Sequence, residues 1–296
     1  PSNPTIQYCD KKLDEIQNMT FDSVIAIGGG SVMDAAKVFI AGLNMINNYT
    51  IDLIKYNDRI EKNILSIFIP TTHGTGSEVT MWGTIWDMKN QFKYSISNPG
   101  LYPDYAILDY KLTESLPKDL SLITSMDALS HSLESIWNVN KNNTSTKYAI
   151  NAIEIIIKNL SNNANKSLSN DNRKDLLYAS TLAGLAFSNT KTAIAHSISY
   201  PLTIEYNMPH GIASSITLIP LLILSENYIK NELNEIYSRL SISDLGDLIN
   251  KIKSTYTHKL NYRLRDWGVN KEDLSSLVKK CYTKDRIENY IVNIDE

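Results

Sequence analysis

Two runs in the first third of the chain share one pattern: a short, apolar, β-branched stretch that ends abruptly in glycines and hydroxyl residues. "SVIAIGGGS" (residues 23–31) is the first and "LSIFIPTTHGTGSE" (residues 65–78) the second. Each apolar run fits one buried strand and is too short for a helix. The segment after the first, "VMDAAKVFIAG", carries Val32, Ala35, Ala36 and Phe39 at helical spacing, with Ser31 placed as an N-cap. Strand, glycine turn, helix and strand in that order predict a mostly parallel α/β sheet. "AILDY" (residues 106–110) predicts a third strand. "TMWGTIWDMKNQFKYSIS" alternates about a turn near Asp87–Asn90, which predicts an antiparallel hairpin.

The texture changes after residue 112. Leu129, Leu133, Ile136 and Trp137 mark one helix, and Ile150, Ile153, Ile156, Ile157 and Leu160 the next. The Asn- and Ser-rich residues 161–172 read as a polar connector. Eight of the twelve glycines fall at or before Gly100. The expectation is therefore an α/β part over residues 1–112 and an all-helical part over residues 113–296. The formal net charge of −3 and pI near 6.0 offer no basic footprint for nucleic acid. No run approaches the roughly 18 consecutive apolar residues of a spanning helix, so no membrane partner is expected. With two cysteines near opposite ends, Cys9 and Cys281, and no leader pattern, a reduced cytoplasmic setting is the expectation.

The glycine loops suit phosphate. Gly28, Gly29, Gly30 and Ser31 stand between a strand and a helix, where free N–H groups and the helix dipole favour anions. The spacing is not G-x-G-x-x-G, because Ser31, Val32 and Met33 follow Gly30. Thr71, Thr72, Thr75 and Ser77 offer hydroxyls from the second loop, at a strand end that opens onto the ligand crevice of a parallel sheet. His73, inside that loop, either touches a cofactor or caps a turn. Further on, "SMDALSHSLES" sets Asp127 and His131 at i and i+4 on one helix face, with Glu134 one turn along the same side. His196 and His210 follow, fourteen residues apart around Pro201 and Pro209. One carboxylate and three imidazoles complete a ligand set for Fe(II) or Zn(II). The fifth histidine, His258, has no partner in sequence and reads as a surface residue.

"GGGSVMDAAK", "PTTHGTGSE", "DALSHSLE" and "AHSISYPLTIEYNMPHG", in that order, resemble the motifs of the iron-containing (group III) alcohol dehydrogenases. The resemblance spans nearly the whole chain. It implies an N-terminal dinucleotide-binding α/β domain, a helical metal-binding domain, and a metal-dependent oxidoreductase. The reaction implied is hydride transfer between NAD or NADP and a small aldehyde or primary alcohol. Carried over residue by residue, it puts the metal on Asp127, His131, His196 and His210. It puts the cofactor pyrophosphate on Gly29, Gly30 and Ser31 with Asp34 nearby, and a second cofactor loop on Thr71, Thr72 and Thr75. Lys93 matches a lysine that reaches the cofactor ribose. Members usually begin with about one more strand–helix–strand unit, so this segment is expected to be truncated and to bind dinucleotide poorly by itself. Where many members have a relay histidine, this chain has Tyr200, which is the candidate proton donor. A homodimer is the expected assembly.

Within the family, "ISYPLT" and "TIWD…KYSI" resemble the phosphonoacetaldehyde reductase branch, which implies an anionic substrate. Lys191, five residues before His196, is the candidate cation for its head group. Two rival readings remain at the sequence level. One is a lyase-type or glycerol dehydrogenase-like enzyme that combines a metal with NAD, as dehydroquinate synthase does. The other is a non-catalytic truncated relative.

Overall fold

A computed structural model describes residues 3–43, 49–90, 92–163, 167–256 and 261–294. His258 lies outside the described residues. The first helix, α1 (Ile6–Ile16), is capped by the Thr5 hydroxyl and buries Cys9 and Leu13. Strand β1 (Ser23–Gly28) leads into α2 (Gly30–Gly42), then α3 (Thr50–Lys55) and β2 (Leu65–Pro70). β1 and β2 pair in parallel from Ser23↔Leu65 to Gly28↔Pro70. That register brings both glycine loops to the same end of the sheet, side by side. The hairpin is present as β3 (Trp82–Asp87) and β4 (Phe92–Ser97), antiparallel from Trp82↔Ser97 to Asp87↔Phe92. A short β5 (Tyr105–Ala106) joins the other edge of β2, giving the order β1-β2-β5.

Three local expectations need correcting. The helix begins two residues earlier than expected, so Gly29 and not Ser31 is the N-cap of α2, and no side chain caps it. The strands are not buried on both faces: Phe68 and Ala26 are buried, while Ile25 and Ile27 are 57% and 56% exposed. A continuous apolar run cannot report whether one sheet face or both are covered. On α2, Val32 turns outward and Lys37, a charged residue, is wholly buried.

The helical part comprises α4 (Lys118–Ile136), α5 (Asn143–Asn163), α6 (Asn170–Thr190), α7 (Ile194–Tyr206), α8 (His210–Ser215) and α9 (Leu218–Ser225). After these come α10 (Lys230–Leu240), α11 (Leu245–Thr255), α12 (Leu274–Cys281) and α13 (Lys284–Ile287). The expected connector is shorter than its composition suggested, because α5 runs to Asn163 and Ser169 caps α6 in a reciprocal box with Asn172. Central to this part is α4, which packs against α5, α6, α7 and α8 and is buried throughout residues 125–136. Its serines are small enough for close packing, and two satisfy their hydroxyls within the helix: Ser132 donates to Ala128 O and Ser135 to His131 O. Two apolar cores result, one of residues between Cys9 and Leu101 and one of residues between Leu122 and Tyr290.

By length and average composition, His210–Tyr228 is a stretch long and apolar enough to cross a membrane. It is broken at Ile216 and Thr217 into α8 and α9, and half of it is buried inside the protein, as in a core helix. The two cysteines are free thiols.

Candidate metal and cofactor site

Asp127 and His131 sit one turn apart on α4, and His196 lies in the first turn of α7. The chain then reverses: Asn207 ends α7 in a left-handed conformation (φ 51°), Pro209 opens α8, and His210 is its first residue. This turn is what brings the two distant histidines together. One side-chain donor atom each from Asp127, His196 and His210 lie within 4.8 Å of one another. His196 Nε2 is 3.5 Å and His210 Nε2 3.7 Å from Asp127 Oδ1. His131 stands beside this group: its ring stacks on that of His196 at 4.5 Å and on Phe187 at 4.2 Å.

Glu134, absent from the expected ligand set, organises the cluster. Its Oε1 accepts from the backbone N–H of His196 at 3.1 Å and its Oε2 is 2.5 Å from His196 Nδ1. A carboxylate on Nδ1 fixes the ring and leaves Nε2 as the coordinating nitrogen. Asp127 Oδ1 also accepts from Ser214 Oγ at 2.9 Å. Burial opposes a charged His196, but Glu134 and Asp127 outweigh it and push that imidazole up to about 9. Burial pushes His131 down to about 4 and His210 down to about 3, while the surrounding imidazoles hold Asp127 well below the usual carboxylate range despite its burial.

His131 Nδ1, His196 Nε2 and His210 Nδ1 are buried without hydrogen-bond partners. Unpaired buried nitrogens cost free energy unless something else satisfies them. Of these, His196 Nε2 faces Asp127 at 3.5 Å, and with His210 Nε2 at the same carboxylate this donor set fits a borderline divalent ion. Gly211 shows how tightly α8 is placed: a Cβ there would lie 2.0 Å from the Ile123 carbonyl of α4. Only glycine lets α8 come close enough for His210 to face Asp127.

The two glycine loops touch. A Cβ on Gly30 would lie 2.5 Å from Thr75 Cγ2, and one on Gly29 would lie 3.0 Å from Thr72 Cγ2. No side chain caps α2, and the dipole at its N-terminus favours an anion, which fits a dinucleotide phosphate. Asp34 points inward, accepting from Ser77 Oγ at 2.8 Å and Thr84 N at 3.1 Å, so in this structure it braces the second loop. The Nζ of buried Lys37 donates to Ser77 O, Ser77 Oγ, Thr80 Oγ1 and Trp82 O. Glu78 ties the same loop to α6 through the Thr181 hydroxyl at 2.7 Å. His73 turns away into the protein, with Nδ1 2.6 Å from Ser121 Oγ of α4.

Of the remaining candidates, Tyr200 and Lys93 reach the cluster's border. Lys93 Nζ lies 4.1 Å from the centre of the Tyr200 ring, and Arg286 Cζ lies 4.8 Å from it. Burial and the carboxylates of Glu134 and Asp127 push the Tyr200 phenol up to about 12 against the pull of Arg286, so it carries its proton at neutral pH. Lys191 does not join them. It is exposed at the end of α6 with φ 63°, and its hydrogen bonds run through its backbone, the carbonyl accepting from Asn138 and Thr190. Arg286 was not a sequence candidate, and its polar surroundings, "TKDRIEN", carry no signal that it folds back onto α7.

Residues 1–110 match the model of the iron-containing alcohol dehydrogenases, and residues 121–293 match that of the family's C-terminal part. The chain belongs to the iron-containing alcohol dehydrogenase family. Its relatives include the sulfoacetaldehyde reductase of Bilophila wadsworthia, 30% identical over 98% of this chain and 76% of the relative. The 1-propanol dehydrogenase of Citrobacter freundii is 35% identical over 73% of this chain and 55% of the relative. Among solved structures, the sulfoacetaldehyde reductase of Bifidobacterium kashiwanohense in complex with NAD+ superposes with a TM-score of 0.92. The two are 27% identical, covering 100% of this chain and 78% of the other. The family is one of NAD(P)-dependent oxidoreductases, and the α/β part followed by a helical part is its fold.

Proposed function

We propose that the protein is a metal-dependent aldehyde reductase that transfers a hydride between NAD(P)H and the carbonyl of a small aldehyde, with the primary alcohol as product. The observation that carries this reading is the convergence of Asp127, His196 and His210 within 4.8 Å, backed by the buried His196 Nε2, which faces Asp127 and has no hydrogen-bond partner. Asp127, His131, His196 and His210 would hold Fe(II) or Zn(II), which supplies Lewis acidity toward a carbonyl oxygen when bound. The chain's own residues do the rest. Glu134 fixes His196. The paired glycine loops receive the cofactor phosphates at the N-terminus of α2, and the NAD+ bound by the Bifidobacterium relative favours NAD as the partner. The protonated Tyr200 phenol stands at the cluster's border, where it can deliver a proton to an alkoxide.

An anionic substrate is part of this reading. The sequence likeness to phosphonoacetaldehyde reductases and the relatives named sulfoacetaldehyde reductase both point to a two-carbon aldehyde with an acidic head group. The test is consumption of NADH or NADPH by the full-length, Fe(II)- or Zn(II)-loaded protein with short aldehydes. Wild type should turn over, and His210→Ala should lose both metal and turnover. A His210→Ala protein with wild-type metal content would defeat the assignment.

A further inference from the structure

The metal cluster is bordered by two cations from elements far apart in sequence: Lys93 on β4 and Arg286 on α13. Both approach one ring, Tyr200, four residues after His196, at 4.1 Å and 4.8 Å. Among the described residues neither forms an ion pair with a carboxylate. Burial and the nearby Arg286 push the Lys93 ammonium down to about 7, against the attraction of Asp34 and Asp127, neither of which pairs with it. Arg286 Nε is buried with no hydrogen-bond partner. Both cations lie over the Tyr200 ring, and an anion beside them would favour the charged form of each. A tetrahedral oxyanion matches the donors available, since a guanidinium fork takes two oxygens and an ammonium takes a third.

We propose that Arg286 and Lys93, which both lie over the Tyr200 ring, form the subsite for the head group of the substrate, a sulfonate or phosphonate on a two-carbon aldehyde, with Arg286 as the residue that sets specificity. This rests on the aldehyde-reductase reading and gives its substrate class a physical receptor. Arg286 takes the role that sequence spacing suggested for Lys191.

The experiment uses the full-length, metal-loaded protein. kcat/KM is measured for sulfoacetaldehyde, phosphonoacetaldehyde and propanal in wild type, Arg286→Gln and Arg286→Lys. The preference for the anionic aldehydes over propanal should fall about 10- to 100-fold in Arg286→Gln and recover in part in Arg286→Lys. The better of the two anionic aldehydes identifies the head group. Calorimetry provides a second readout: 2-hydroxyethanesulfonate or 2-hydroxyethylphosphonate should bind wild type and bind Arg286→Gln more weakly. This arm stands on wild type even if the glutamine variant folds poorly. A preference that survives in Arg286→Gln, a wild type that favours propanal, or no binding of either product would overturn the subsite while leaving the reductase reading intact. So would a rise in the KM for NADH in Arg286→Gln with no change in aldehyde preference, which would assign the cations to the cofactor. No reduction of any aldehyde by wild type would defeat both.

Discussion

Glu134 and His73 show how two buried side chains of similar polarity come to serve different ends. Glu134 spends both oxygens on His196, one on the backbone N–H and one on Nδ1. Glu134→Gln keeps the size but substitutes an amide N–H for one acceptor, so the ring loses its fixed orientation. Metal affinity should fall about 10- to 100-fold, read by competition with a chelating dye. His73 is a proton-linked stability element. Burial holds its imidazole down at about 4, while the unfolded chain protonates it near the ordinary value of 6.5. Between those values the unfolded state binds more protons, so stability is lost as pH falls from 6.5 to 4 and the loss levels off below. The loss amounts to about 3 kcal/mol. His131 and His210 tilt the metal-free protein the same way. The measurement is therefore the difference between wild type and His73→Gln in denaturant titrations at pH 4, 5.5 and 7, with a shallower slope expected in the variant. At this scale the convergence of Asp127, His196 and His210 was legible because few residue types can bind metal and the chain has only five histidines. The roles of Glu134 and Lys37 were not, because their partners lie 62 and 40–45 residues away.

Elements position these residues through contacts that periodicity does not encode. The helix at Asp127, the helix after Gly30 and the hairpin around Asp87 were all readable, because each is fixed by local spacing and turn chemistry. Which side of each is covered was not: α2 buries Lys37 and exposes Val32, and β1 exposes Ile25 and Ile27. Those outcomes depend on what packs against the element, here the second glycine loop on one side and no helix among the described residues on the other. α8 is the clearest case of an element set by a single contact. Its approach to α4 depends on Gly211, whose added Cβ would sit 2.0 Å from backbone, which cannot rotate away as a side chain can. Gly211→Ala should push α8 outward, carrying His210 from Asp127. The expected result is a loss of about 1–3 kcal/mol in stability together with reduced metal content, by denaturant titration and elemental analysis. Normal metal content in a destabilised variant would show that His210 reaches the site by another path.

The molecule as a whole divides its labour between two cores that share the cleft. Asp127, His131, Glu134, His196, His210 and Tyr200 all come from helices of the C-terminal core, whereas the glycine loops and Lys93 come from the N-terminal part. Metal and cofactor should therefore stabilise different regions. A ligand that binds only the folded state adds RT ln(1 + [L]/Kd), about 2.7 kcal/mol at one hundred times Kd, and it adds this to whatever unit must open to release it. For the metal that unit is α4, α7 and α8, since their mutual contacts build the donor set. For the dinucleotide it is the turn between β1 and α2 and the loop after β2, joined by the close approach of Gly30 to Thr75. Lys37 and Glu78 anchor that second loop from either side, Lys37 on α2 and Glu78 through α6, so some coupling must cross between the parts. Amide hydrogen exchange on the full-length protein can separate these effects. Adding a chelator should speed exchange in residues 118–136 and 194–215 most strongly, with a smaller rise at residues 74–80. Strands β1 and β2 should scarcely change. Equal acceleration across both cores would mean that they open as one cooperative unit, and that the metal stabilises the whole fold and not its helical part alone.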